Sequence, residues 1–127
     1  AGKADYALQA LGDHDLVLVH IEAPDEAGHM GDAEKKIRAI EDTDRLVVGA
    51  LLEGLKRRGE PFAIMVVCDH PTSTALKTHL AEPVPFAIYR TGGPTDAVTA
   101  YNESAVKASA TRFEEGFQLM AHFLRHA

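Results

Sequence analysis

The sequence predicts an α/β domain built on a mainly parallel sheet, and three observations carry that expectation. Residues 16–21 (LVLVHI) and 62–68 (FAIMVVC) are nearly continuous apolar, largely β-branched runs. Such runs read as strands buried on both faces rather than as half-exposed hairpins. A long amphipathic segment, 33–58, lies between them, and the order helix, strand, long helix, strand, loop, strand, helix alternates as α/β units do.

Taken in order, residues 3–11 place Ala4, Ala7, Leu8 and Leu11 at helical spacing, and Gly12 stops that helix before the polar Asp13-His14-Asp15. After the strand at 16–21, the Pro and Gly content of 22–32 (EAPDEAGHMGD) predicts a loop. Asp32 is placed to N-cap the helix 33–58, whose apolar stripe runs Ile37, Ile40, Val47, Leu51 and Leu55. Asp44 fills the gap in that stripe; a carboxylate there is expected to find donors or sit at the edge of the core. Gly59 ends the helix and Glu60-Pro61 turns the chain into the strand at 62–68. Residues 69–83 form a loop rich in His, Thr and Pro, and 84–89 (VPFAIY) a third strand. Pro85 marks that strand as an edge or as late to begin pairing. A turn at 91–95 (TGGPT) follows; 96–112 carries no clear pattern, and 115–125 closes with an amphipathic helix showing Phe117, Met120 and Leu124. The long helix is expected to pack on one face of the sheet.

Composition excludes several classes. The 127 residues fit one domain of the usual ~100–200, and 46% apolar with 25% charged residues is ordinary for a globular chain. A formal charge of −6 speaks against a nucleic-acid partner. Lys56-Arg57-Arg58 is a three-residue run, most simply a solvated helix end. No apolar run nears the ~20 residues of a membrane span, and the first residues show no signal-peptide h-region. A single cysteine, Cys68, cannot form an internal disulfide and fits a reducing cytoplasm.

Histidine is the distinctive residue, seven in 127. Asp25 and His29 follow the first strand, Asp69-His70 directly follows the second, and His79 precedes the third. Ligands of open parallel sheets sit beyond the carboxyl ends of strands, so both loops can converge on one edge and bring these five groups into one pocket. Imidazole and carboxylate suit Zn²⁺, Mn²⁺ and related cations. Five such groups exceed one tetrahedral site and suit a pair of cations ~3.5–4 Å apart that clamp an in-line phosphoryl transfer. On spacing alone, ordinary surface His–Asp neighbours remain an alternative.

The surrounding residues add a resemblance. His20-Ile-Glu-Ala-Pro-Asp-Glu-Ala-Gly-His-Met-Gly-Asp32, Lys36-Ile-Arg-Ala-Ile-Glu41 with Asp44, and Asp69-His-Pro-Thr-Ser-Thr-Ala-Leu-Lys-Thr-His79 followed by Pro83-Val-Pro-Phe are similar to the archaeal-type cofactor-independent phosphoglycerate mutases. Tyr101-Asn-Glu-Ser-Ala and Gly116-Phe-Gln-Leu-Met120 resemble the C-terminal end of that family. The resemblance covers nearly the whole chain. It implies an alkaline-phosphatase-like α/β/α sandwich, of which residues 1–127 would form the C-terminal part of the metal-binding domain. It also implies a cytoplasmic isomerase of glycolysis that interconverts 3- and 2-phosphoglycerate through a phosphoserine, with two divalent metal ions: Mn²⁺ foremost, Mg²⁺, Zn²⁺ and Co²⁺ open.

Carried over by position, Asp25, His29 and His79 would ligate one metal, and Asp69 and His70 the other. The remaining aspartate, the nucleophilic serine and the inserted substrate-holding domain would lie upstream, so no catalytic nucleophile is expected here and the chain reads as the last third of a longer enzyme, inactive alone and capable of self-association. The family often has Ser-Thr-Pro where Pro71-Thr72-Ser73 stands, a departure that leaves the ligands intact and bears on the loop backbone. Ser73 lacks a general base or a Gly-x-Ser-x-Gly elbow and is not expected to be a nucleophile. Cys68 reads as a buried small hydrophobe. His20 is placed either near substrate or as a structural residue. His14, His122 and His126 are most simply exposed. Lys3 and Lys77 are surface lysines with the alternative of phosphate contacts. Two further readings stay open: another phosphatase or phosphotransferase of the same superfamily, and a non-catalytic partner-binding domain.

Overall fold

A computed structural model describes residues 2–107 and 109–125. His126 lies outside the described residues. The described chain forms two compact units, one made of residues up to Glu60 with His70–Glu82, the other of Pro61–Asp69 with residues from Pro83 onward.

The first unit begins with α1 (Lys3–Ala10), whose first turn is closed by the Asp5 carboxylate accepting from the Gly2 N–H at 2.9 Å. Residues 16–21 follow as extended chain without a strand pairing among the described residues. The alternation is nevertheless that of a strand: Val17, Val19 and Ile21 are half-buried, while Leu16, Leu18 and His20 face outward. Apolar pattern sets which faces are covered, but a strand exists only once a neighbour supplies the hydrogen bonds.

The segment 22–32, expected as a loop, contains α2 (Ala23–Met30). Pro24 sits in its first turn, where no N–H is needed, and Gly31 closes it in the left-handed conformation with φ 74°. Proline and glycine here mark the two ends of a short helix. The long helix covers 33–58 as predicted, as α3 (Ala33–Thr43), a π turn (Asp44–Val48) and α4 (Gly49–Arg58). Asp32 caps it by accepting from the Lys35 N–H at 2.8 Å, and Gly59 stops it at φ 72°.

The predicted core stripe is only partly buried. Ile37 and Ile40 are exposed, and Lys36, Ala39 and Thr43 form the inner face of α3. α3 packs on α2, and the Lys36 ammonium reaches past it to the Thr72 carbonyl of the hairpin. The π turn adds a residue to the turn and shifts the facing positions beyond it. Asp44, at its start, is therefore exposed rather than at the core edge. Gly54 in α4 takes Leu8 of α1 against its Cα, and the Arg58 guanidinium donates to the Leu8 carbonyl. The segment 69–83, expected as a loop, carries a hairpin of β2 (Thr72–Ser73) and β3 (Thr78–His79), with Thr72 opposite His79.

In the second unit β1 (Ala63–Val67) pairs with β4 (Phe86–Arg90). This pair is antiparallel, with no crossover helix between its strands, as at an antiparallel edge of an otherwise parallel sheet. β4 begins directly after Pro85, the late start the proline predicts. β1 is half-buried rather than covered on both faces, and Cys68, one residue beyond it, is exposed rather than buried. Its Sγ lies 3.9 Å from the Tyr101 hydroxyl, which donates to the Pro85 carbonyl at 3.1 Å. Burial pushes the Tyr101 phenol well above its usual range, with the Cys68 thiol adding to the effect. A short helix, α5 (Glu103–Val106), and α6 (Phe117–Arg125) complete the unit. Arg90 lies over the Phe123 ring and donates to its carbonyl at 3.0 Å. His122, expected to be exposed, is half-buried with its ring 5.2 Å from Phe113.

Candidate metal centre

The site is held between helix α2 and the β2–β3 hairpin, both in the first unit. Helical spacing of four residues puts Asp25 and His29 on one face of α2, with His29 Nε2 3.5 Å from Asp25 Oδ2. The hairpin brings His79 to the same place, its Nε2 2.9 Å from His29 Nε2 and 3.3 Å from Asp25 Oδ1. One ligand atom from each of these residues lies within 4.8 Å of the others. Two nitrogens bonded to a cation at ~2.0–2.1 Å stand about 2.9 Å apart at a right angle and about 3.4 Å apart at the tetrahedral angle. The Nε2 pair and the His79–Asp25 distance fall in that range and the 3.5 Å His29–Asp25 distance lies just beyond it, so the donor set fits a divalent cation.

Hydrogen bonds set the direction of these ligands. His29 Nδ1 lies 3.0 Å from the Lys77 carbonyl oxygen, which can only accept, so Nδ1 carries the proton and Nε2 keeps its lone pair for the site. Lys77 offers that carbonyl from a left-handed backbone, φ 55°, in the hairpin turn. The Thr72 hydroxyl donates to Asp25 Oδ1 at 2.5 Å. This bond is the main cause that holds the Asp25 carboxyl below its ordinary value; burial opposes it, and the imidazoles of His29, His79 and His70 add smaller lowering effects. His70 stacks on His79 with ring centroids 3.6 Å apart, and its Nδ1 lies 3.3 Å from Thr72 Oγ1.

Four of the five predicted ligands, Asp25, His29, His70 and His79, therefore gather in one unit, while Asp69 belongs to the other, just beyond the end of β1. The remaining candidates have local roles. Ser73 Oγ accepts from the Leu76 N–H at 3.1 Å and so shapes the hairpin turn. His20 pairs with Glu22 at 3.4 Å, and its carbonyl accepts from the Lys3 ammonium, which ties α1 to the extended segment. His14 Nδ1 lies 3.0 Å from the Ala10 carbonyl at the end of α1. Sequence reasoning passed over Thr72 and Lys36; a hydroxyl two residues after the Asp-His pair was the available signal for the first.

Residues 1–118 match the metalloenzyme superfamily, to which the chain belongs. Among its relatives, the 2,3-bisphosphoglycerate-independent phosphoglycerate mutase of Methanosarcina mazei is 53% identical over 107 residues, covering 84% of this chain and 27% of the mutase. That of Methanothrix thermoacetophila is 48% identical over 120 residues, covering 94% of this chain and 31% of the relative. A probable enzyme of the same name from Geobacter sulfurreducens is 44% identical over 124 residues, covering 97% of this chain and 31% of its own length. The chain thus spans about 27–31% of these curated relatives. A solved structure of a Pyrococcus horikoshii protein superposes with a TM-score of 0.83 at 30% identity, covering 97% of this chain and 36% of that one. No helix among the described residues is long and apolar enough to cross a membrane.

Proposed function

We propose that this chain is the metal-binding segment of a 2,3-bisphosphoglycerate-independent phosphoglycerate mutase, acting in the cytoplasm on phosphoglycerate in glycolysis. The observation that carries the reading is the convergence of Asp25, His29 and His79, with His29 oriented through the Lys77 carbonyl. In this reading these three residues hold one divalent cation, Mn²⁺ foremost, and Asp69 and His70 contribute to a second. The cations supply electrostatic stabilisation for an in-line phosphoryl transfer. The chain's own part is to present two imidazole nitrogens and a carboxylate in fixed directions. Ser73 Oγ accepts from the Leu76 N–H in the hairpin turn, and in this reading the nucleophile of the transfer comes from elsewhere in the enzyme. Large apolar side chains left exposed, Leu18 at 76% among them, support self-association of the isolated segment.

The test is calorimetric titration of the chain with Mn²⁺ and with Zn²⁺, beside the same titration of His79→Ala and a mutase assay. The reading expects cation binding by the wild-type chain, a large loss of affinity in His79→Ala, and no mutase turnover. Equal affinities in the two chains would overturn the ligand set. Mutase turnover by the chain alone would show that the nucleophile is within it.

A further inference from the structure

Thr72 has the position of a ligand-holder without being a ligand. It is only 6% exposed, the one buried polar side chain among the described residues, and its single hydroxyl meets one predicted ligand of each metal. We propose that the Thr72 hydroxyl is a shared positioning group, which orients the Asp25 carboxylate and at the same time fixes the His70 ring as its Nδ1–H tautomer.

The argument is one of proton count. A threonine hydroxyl has one proton to donate and lone pairs with which to accept. Asp25 is a carboxylate and can only accept, so the proton of Oγ1 points at Asp25 Oδ1, 2.5 Å away. The same oxygen lies 3.3 Å from His70 Nδ1 and, with its proton committed, can only accept there. His70 then carries a proton on Nδ1, directed at that oxygen. A ligand imidazole whose other nitrogen donates to an oxygen is the usual arrangement in metal sites.

The surroundings keep Thr72 from turning away. Its carbonyl accepts from the Lys36 ammonium of α3, and its backbone is paired in the hairpin with His79, itself a predicted ligand. Its Cγ2 methyl lies against Gly28 of α2, where a Cβ would stand only 2.8 Å away. The backbone is thus held by two interactions and the methyl is packed on Gly28, while the hydroxyl meets Asp25 and His70.

This inference rests on the reading of Asp25 and His70 as ligands, and its test separates the two. The chain, Thr72→Val and Thr72→Ser are compared by Mn²⁺ and Zn²⁺ calorimetry and, without metal, by long-range ¹H–¹⁵N correlation of the imidazoles. Valine keeps the shape and removes the hydroxyl; serine keeps the hydroxyl. Thr72→Val is expected to bind about 10–100-fold more weakly, the usual cost of losing such a partner. Thr72→Ser should recover most of that affinity. His70 should show the Nδ1–H pattern in wild type and in Thr72→Ser and lose it in Thr72→Val. An Nε2–H pattern for His70 in the wild-type chain overturns the proposal whether or not the variants fold, and so does an unchanged affinity in Thr72→Val. Unchanged affinity in His79→Ala, by contrast, overturns the ligand set and leaves the tautomer result to decide what Thr72 does to His70.

Discussion

Gly28→Ala separates helix stability from site geometry. Alanine is the better helix former by up to ~1 kcal/mol, so on local propensity α2 should gain. The structure opposes that gain. An added Cβ would lie 2.8 Å from Thr72 Cγ2, 3.1 Å from Thr72 Cβ and 3.1 Å from the Thr72 carbonyl oxygen. Favourable carbon contacts lie at ~3.5–4.0 Å, so α2 and the hairpin must separate by more than half an ångström. Thr72 cannot yield by rotating, since its Cβ and backbone are among the crowded atoms. Overpacking of this kind costs about 1–3 kcal/mol, which leaves a net destabilisation of about 0–2 kcal/mol. The effect on metal binding should be larger than that on folding. His29 rides on the helix and His79 on the hairpin, and their Nε2 atoms are 2.9 Å apart. Metal–ligand distances tolerate only about ±0.2 Å, so the same separation spoils the pair. Thermal unfolding followed by circular dichroism reads the first quantity and Mn²⁺ calorimetry the second. A Gly28→Ala chain that is more stable than wild type and binds metal equally well would refute the reasoning, because the close approach would then not exist.

Gly31→Ala should lower stability by about 1–2 kcal/mol through the left-handed backbone alone, φ 74°. The added Cβ would also stand 3.1 Å from the Thr74 carbonyl, and urea unfolding with a midpoint equal to that of wild type would contradict this. Asp25 gives a pH prediction: its folded-state value is depressed, chiefly by the Thr72 hydrogen bond, from an ordinary 3.8. Its contribution to stability is therefore present above that value and lost as pH falls through the lower, folded-state one. A carboxyl ¹³C titration of the metal-free chain should place the Asp25 midpoint below 3.8, and a midpoint at or above it would count against the hydrogen bond.

Local features were legible wherever a few neighbouring residues decide the outcome. The cap at Asp32, the stop at Gly59 and the break at Pro85 each follow from one side chain's chemistry, and each stands where the sequence places it. α2 was misread because Pro24 and Gly31 are as much helix-boundary residues as loop residues, and Gly28 lies inside the helix for a packing reason no local pattern reveals. The strand pattern at 16–21 gave the right faces but not the pairing, since hydrogen-bond partners are a property of the neighbour. The apolar stripe gave the extent of the long helix, but that Lys36, Ala39 and Thr43 rather than Ile37 and Ile40 are its half-buried positions depends on the elements packed against α3. Candidate ligands were legible as residue types at suggestive spacing. The role of Thr72 was not, because it depends on which carboxylate and which imidazole the fold brings to one hydroxyl.

Among the described residues of the first unit, the buried apolar side chains are the alanines Ala4, Ala7 and Ala27, while Ile37, Ile40 and Leu46 are exposed in this segment. What holds α2 to the hairpin is close approach of small groups, Gly28 on Thr72 and Gly31 on the Lys77 stem, together with directed hydrogen bonds from Thr72 to Asp25 and from His29 to the Lys77 carbonyl. Such contacts contribute little to global stability, since a hydrogen bond adds only ~0.5–1.5 kcal/mol net. They constrain geometry strongly, because each has a single short-range optimum. Metal affinity should consequently respond more steeply than resistance to unfolding to substitutions between α2 and the hairpin. Changes at the exposed isoleucines of α3 act on neither ligand spacing nor ligand direction, whereas loss of one hydroxyl or gain of one methyl between α2 and the hairpin acts on both.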